Sequence, residues 1–174
     1  MSEKEMNKTR SQFQRCYSLL KRTDLKTFHL HLGNLEENSQ LYQTFLQKTD
    51  GFENMSITVF PGSVFEEFPP SKLVYLSPDA AEPLLTIAPD RVYVIGGLVD
   101  DNIKRGATRG RCERAGVRTA RLPIQEYWER PNHKQCVLTI NQVFKILLLV
   151  HNGAMWREVL EKVMPKRKGL ALGG

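Results

Sequence analysis

Apolar positions recur along the chain with two different periods, and the switches between them define the predicted elements. From Lys4 to Arg22 there is no Pro or Gly, and Phe13, Tyr17 and Leu20 fall at i, i+4 and i+7, one apolar face of a helix. Thr27 to Leu32 alternates with period two and stops at Gly33-Asn34, the pattern of a strand and its turn. Leu35 to Gln47 reads as a helix with Leu41, Phe45 and Leu46 on one side, broken by Asp50-Gly51. Met55 to Phe60 is a second strand closed by Pro61, and a short helix through Val64, Phe65 and Phe68 precedes Pro69-Pro70.

Beyond those prolines the apolar runs become continuous. Leu73-Val74-Tyr75-Leu76 ends at Ser77-Pro78-Asp79, and Arg91 to Ile95 ends at Gly96-Gly97. Unbroken apolarity of strand length predicts strands buried on both faces, as in a parallel sheet. Thr108 to Ala115 is expected to be a helix ended by Gly116, Val117 to Leu122 a strand, and Pro123 the start of a short helix through Tyr127 and Trp128. After a turn at Pro131-Asn132-His133, Thr139 to His151 is a strongly apolar helix, and a last helix runs from Ala154 to about Val163. The alternation predicts an α/β fold with a mainly parallel sheet and helices on both faces.

Length and composition narrow the class. A chain of 174 residues is expected to form one domain over 1–174. With 41% hydrophobic and 25% charged residues, disordered and fibrous classes are excluded. The longest apolar run, Ile146 to Val150, is far shorter than the ~20 residues of a membrane span, and the charged N-terminus has no apolar signal-peptide core. Cys16, Cys112 and Cys136 are odd in number and far apart, which excludes a disulfide framework or a C-x-x-C motif and predicts a reducing, intracellular setting.

Charge changes the picture further. Residues 1–90 carry 9 Lys and Arg against 12 Asp and Glu, a balance of −3, whereas residues 91–174 carry 16 against 7, a balance of +9, together the net +6. Between 104 and 121 lie Lys104, Arg105, Arg109, Arg111, Arg114, Arg118 and Arg121 with a single acid, Glu113. Arginine forks onto phosphate readily, so a polyanionic partner is one reading and a solvated charged face the other.

Candidate chemistry falls at strand ends, where open α/β sheets bind ligands. Gly96-Gly97 either admits a ligand to the bare backbone or simply makes a tight exit; no G-x-G-x-x-G or Walker lysine pattern accompanies it. Asp100, three residues on, is placed for a general base or for a loop cap, with Asp101 and Asn102 as the neighbouring cap candidates. His29 and His31 share a strand face but lack acidic or thiolate partners at ligand spacing, so no metal is expected. The arginines around Cys112 are expected to lower its pKa, and Trp128 and Trp156 sit at helical apolar positions that favour packing over base stacking.

Four ordered segments carry a resemblance: Leu73-Val74-Tyr75-Leu76-Ser77-Pro78-Asp79, Val92-Tyr93-Val94-Ile95-Gly96-Gly97-Leu98-Val99-Asp100, Thr119-Ala120-Arg121-Leu122-Pro123-Ile124 and Ile140-Asn141-Gln142-Val143-Phe144. With Gln12-Phe13-Gln14-Arg15-Cys16-Tyr17 upstream, the chain resembles, from about 6 to 168, the tRNA purine-9 N1-methyltransferases of the SPOUT superfamily, most of all the animal B paralogue. The resemblance implies a C-terminal trefoil knot and S-adenosylmethionine as cofactor, contacted by Leu76, Ser77, Gly97, Asp101, Asn102, Ile103, Lys104, Arg105, Leu122, Cys136, Val137 and Leu138. It implies Asp100 as general base and tRNA as partner, gripped by Arg15, Lys104, Arg105, Arg109, Arg111, Arg118, Arg121, Lys166 and Arg167. It further implies methylation of N1 of guanine or adenine at the ninth nucleotide, by a monomer in the nucleus or cytoplasm rather than the mitochondrion. Family members commonly carry a longer basic N-terminal extension, so a catalytic-domain fragment is expected. The alternative is a non-catalytic RNA-binding scaffold of the same fold; a small-molecule enzyme would leave the basic half without a role.

Overall fold

A computed structural model of the chain describes residues 2–23, 28–96, 102–128 and 138–164, with the side chains of 102–106 outside the description. The elements in order are α1 (Glu3–Arg22), β1 (Leu30–Leu32), α2 (Gln40–Lys48), β2 (Ile57–Val59), α3 (Val64–Glu67), β3 (Leu73–Leu76), β4 (Val92–Ile95), α4 (Asn102–Ala115), β5 (Arg118–Ala120), α5 (Ile124–Tyr127), α6 (Ile140–His151) and α7 (Trp156–Val163). Strand and helix alternate as the periodicity predicts, and every described strand pair is parallel. The strands group into two ladders, β1-β2 and β4-β3-β5.

The three-stranded sheet is covered on both faces, because period two sends successive side chains to opposite sides. Val74, Leu76, Tyr93, Ile95 and Ala120 pack with Ile146 and Leu147 of α6 and Trp156, Val159 and Leu160 of α7. Leu73, Tyr75, Val92 and Val94 pack with Cys112 of α4 and with Val64, Phe65 and Phe68 at α3. Leu73 and Val74 are each only 1% exposed, and full burial of such side chains contributes about 1.5–3 kcal/mol apiece. Trp128 and Trp156 are buried in the α6–α7 layer, where Trp156 Nε1 donates to the Leu85 carbonyl at 3.0 Å. Packing, not base stacking, is therefore their role.

The smaller ladder rests on a separate cluster. Leu30, Leu32, Ile57 and Val59 face Phe13 of α1, Leu35, Phe45 of α2 and Phe52. Phe45 meets Phe13 edge-on at 5.5 Å and stacks on Phe52 at 4.9 Å. Phe13 and Tyr17 of the predicted apolar stripe are buried. Helix α1 then reaches α6 through Cys16, Phe144 and Leu148, and the buried Gln12 accepts the Ile140 N–H at 2.8 Å through Oε1.

Boundaries move where capping chemistry overrides hydrophobic pattern. Helix α2 begins at Gln40, not Leu35, because the Ser39 side chain accepts from the Tyr42 N–H. Helix α4 begins six residues before the expected Thr108; Lys104 and Arg105 are good helix formers, and Gly106 alone does not stop them. Gly116 ends α4 at φ 71°, a left-handed conformation that suits glycine. The turn expected at Pro131-Asn132-His133 lies outside the described residues. No helix among the described residues is long and apolar enough to cross a membrane.

One stability prediction arises here. Gly110 lies inside α4, and among the described residues a Cβ there would meet only the Arg114 guanidinium, at 3.1 Å from Nη1. That flexible end can move, so Gly110→Ala is expected to stabilise the protein by about 0.5–1 kcal/mol through helix propensity. Urea denaturation midpoints of the two proteins check it.

Candidate functional site at the strand ends

Strands β3, β4 and β5 finish together, with Leu76 opposite Ile95 on one side and Ala120 on the other. Past these ends the chain turns away, and a cleft forms between Tyr75, Leu76, Ser77, Pro78, Ala80, Gly96, Thr108, Arg109 and Thr119. The β3 exit is fixed by Ser77 N–H donating to the Ala120 carbonyl at 2.9 Å and by Ser77 Oγ accepting from Asp79 N–H at 3.3 Å. Gly96 suits this close approach: a Cβ there would stand 3.0 Å from Tyr75 Oη, which would have to give by a few tenths of an ångström.

Leu76 and Ser77, expected at the cofactor, line this cleft. Leu122 and Leu138 do not; with Leu76 they pack against the α6–α7 cluster on the other face of the sheet. Gly97, Asp100, Asp101, Cys136, Val137, Lys166 and Arg167 lie outside the described residues, as do the side chains of Asn102, Ile103, Lys104 and Arg105. Tyr75, Thr108, Arg109 and Thr119 are cleft residues that sequence pattern did not assign to the ligand. Period two in β3 and β5 puts Tyr75 and Thr119 on the α4 side, and the earlier start of α4 brings Thr108 and Arg109 within reach.

The arginines are partly engaged within the protein. Arg109 Nη2 donates to the Asp79 carbonyl at 3.0 Å, and the Arg111 guanidinium lies 4.5 Å from the Phe65 ring centre. Arg121 forks onto Glu126 through two 2.8 Å hydrogen bonds, which raise its pKa and hold the Glu126 carboxyl below its ordinary range. Arg118 approaches Glu82 at 3.8 Å with both side chains largely exposed, a contact of little energetic weight. Arg15 is exposed on α1. A cationic surface therefore survives, although Arg121 is the least available of its expected members.

The two described thiols are inert by environment. Cys112 has no exposed surface, and burial raises its pKa against the weaker lowering pull of Arg111. This corrects the lowered value expected from the neighbouring arginines, because desolvation of a thiolate outweighs an exposed charge. Cys16, buried between α1 and α6, is pushed up to about 12 by desolvation. An acid group with a raised folded pKa binds its proton more tightly folded than unfolded, so its stabilisation is intact below pH 9 and is lost as pH climbs towards 12. The stability gap between wild type and Cys16→Ala is therefore expected to shrink above about pH 9, read from denaturation midpoints at about pH 8 and pH 10.5.

His29 Nε2 lies 2.7 Å from Thr58 Oγ1, and its ring meets His31 edge-on at 4.7 Å. Burial and the neighbouring His29 lower the His31 pKa, with Glu67 opposing them. Among the described residues no group of three His, Cys, Asp or Glu side chains is placed to hold a metal.

Parallel strands ending at a common cleft, walled by an arginine-rich helix, form the strand-end arrangement at which open α/β sheets bind ligands. Known proteins then fix the family. The model described as "tRNA (guanine(9)-N(1))-methyltransferase TRM10/TRM10A" matches residues 1–169, and the chain belongs to that family. It is 39% identical to tRNA methyltransferase 10 homolog B of Danio rerio and 34% identical to the tRNA (guanine(9)-N1)-methyltransferase of Schizosaccharomyces pombe. Each match covers 99% of this chain and 56% of the relative, so the chain spans little more than half their length. A crystal structure of full-length spTrm10 in complex with SAH superimposes with a TM-score of 0.77 at 32% identity, covering 96% of this chain and 88% of that one. The dual-specific Trm10 of Thermococcus kodakaraensis, 24% identical with a TM-score of 0.69, shares the fold.

Proposed function

We propose that this chain is the catalytic unit of an S-adenosylmethionine-dependent tRNA methyltransferase that acts on N1 of guanine, or of adenine, at the ninth nucleotide. The observation that carries the proposal is the cleft where β3, β4 and β5 end against α4, in a chain that belongs to this family. Its residues fit the cofactor. Leu76 offers apolar surface at the strand ends, and Ser77 and the bare backbone at Gly96 offer polar contacts. Gly97, Asp101 to Arg105, Cys136 and Val137 complete the proposed holding set. When bound, S-adenosylmethionine supplies an activated methyl group. SAH in the spTrm10 neighbour supports this choice of cofactor.

The chain's own task is then positioning and proton removal. Guanine N1 carries a proton, and a carboxylate at Asp100 takes it, directly or through water, as the nitrogen's lone pair is engaged. Adenine N1 already has a free lone pair and needs less of this base. Arg15, Arg118 and Lys104, Arg105 and Arg114 of α4 supply positive charge for the phosphate backbone, so tRNA binding weakens steeply with salt. The resemblance also supports a C-terminal trefoil knot, a monomeric state and a nuclear or cytoplasmic setting as parts of the proposal.

Calorimetric titration tests this reading against the scaffold of the same fold. Binding of both S-adenosylmethionine and tRNA is expected. Tight RNA binding without cofactor binding would overturn the enzyme reading and leave the scaffold.

A further inference from the structure

The arginines of α4 divide into two kinds, and their intramolecular contacts make the division. Arg109 reaches back to the turn that follows β3, and Arg111 to Phe65 of α3, which packs on Tyr75 of β3. Arg109 Nη2 donates to the Asp79 carbonyl at 3.0 Å, which ties α4 to the turn that follows Ser77. That turn is closed by Asp79 N–H on Ser77 Oγ and Ala80 N–H on the Ser77 carbonyl, so the tie bears directly on where Ser77 stands. Arg111 lies over Phe65, Phe65 stacks on Tyr75 at 6.2 Å and 13°, and Tyr75 Oη lies against Gly96. Two side chains of one helix thus hold two points of one wall.

We infer that Arg109 is a positioning residue for the cofactor cleft, holding the Ser77–Ala80 turn in its binding geometry, with Arg111 supporting the same wall through Phe65 and Tyr75, and that neither serves chiefly as a tRNA phosphate contact. This rests on the reading of the cleft given above. An arginine that only neutralises phosphate needs no protein acceptor; one whose fork end sits on a backbone carbonyl has committed that donor to the fold. Guanidinium over an aromatic ring is likewise a held geometry.

The two roles separate experimentally. Arg109→Gln and Arg109→Lys are compared with wild type for calorimetric binding of S-adenosylmethionine, for its KM against kcat, and for the salt dependence of tRNA affinity. Arg109→Gln is expected to raise the cofactor Kd and KM by about three- to tenfold, the net contribution of one solvent-exposed hydrogen bond. Its kcat at saturating cofactor and its salt slope are expected to match wild type. A lysine side chain keeps a donor long enough to reach the Asp79 carbonyl, so Arg109→Lys is expected to recover most of the cofactor affinity. Unchanged cofactor binding in Arg109→Gln, together with weaker tRNA binding and a salt slope lower by about one, would overturn the inference and make Arg109 a phosphate contact. Wild type that binds no S-adenosylmethionine would instead overturn the reading of the cleft, and this inference with it.

Discussion

Asp100→Asn is expected to slow methyl transfer to guanine N1 by about 10²–10⁴-fold, the usual contribution of a positioned general base. Cofactor binding is expected to stay within about twofold, because removing one charge without changing shape leaves the cleft lining at Leu76, Ser77 and Gly96 in place. The same variant tested on a tRNA with adenine at the ninth nucleotide is expected to lose far less, since adenine N1 has no proton to give up. Single-turnover rates at saturating enzyme, measured with both tRNAs, check the difference. Collapse of cofactor affinity in Asp100→Asn would move Asp100 from proton acceptor to cofactor ligand.

Leu148→Ala is expected to cost about 2–5 kcal/mol of stability, the range for a leucine truncated where the surroundings close only partly. Leu148 has no exposed surface and joins elements that are far apart in sequence. It clusters with Cys16 of α1 and Phe144 of α6, with Phe28, Leu30 of β1 and Ile95 of β4 packed against them. Truncation opens a cavity at the junction between the two ladders, so no single element can relax to fill it. For a protein of this size the loss corresponds to roughly 5–15 °C in Tm. Leu148→Met, which conserves volume, is expected to cost less than about 1.5 kcal/mol. Scanning calorimetry of the two variants checks both values.

The architecture was legible in the sequence where packing alone decides it. Continuous apolarity in Leu73–Leu76 and Val92–Ile95 foretold strands covered on both sides, and the cores on either face of β3 bear this out. The α1 stripe and the packing role of both tryptophans followed from spacing in the same way. Local hydrogen bonds were less visible. Ser39 sets the start of α2, and a run of good helix formers carries α4 back to Asn102, neither of which a hydrophobic period reports. The division of the strands into two ladders was not visible at all, because periodicity says which face a strand buries and not which neighbour it pairs with.

The site was legible in part for a related reason. Glycines at strand ends mark close backbone approach, and Gly96 indeed lies in the cleft under Tyr75 Oη. The functions of arginines are set by their partners, which sequence does not give. Arg121 meets Glu126 in the next helix, whereas Arg109 on Asp79 and Arg111 over Phe65 are contacts between distant parts of the chain. Composition counted all three simply as positive charge. For Cys112 the same neighbours pointed the wrong way, since burial against β3 decides its pKa.

Nucleoside mass analysis of a transcribed tRNA panel, after incubation with this chain and methyl-labelled S-adenosylmethionine, bears most directly on the proposed activity. The expected result is label in N1-methylguanine, or N1-methyladenine, from the ninth nucleotide, absent when that nucleotide is a pyrimidine. No incorporation into either purine at ample enzyme, with tRNA bound, would contradict it.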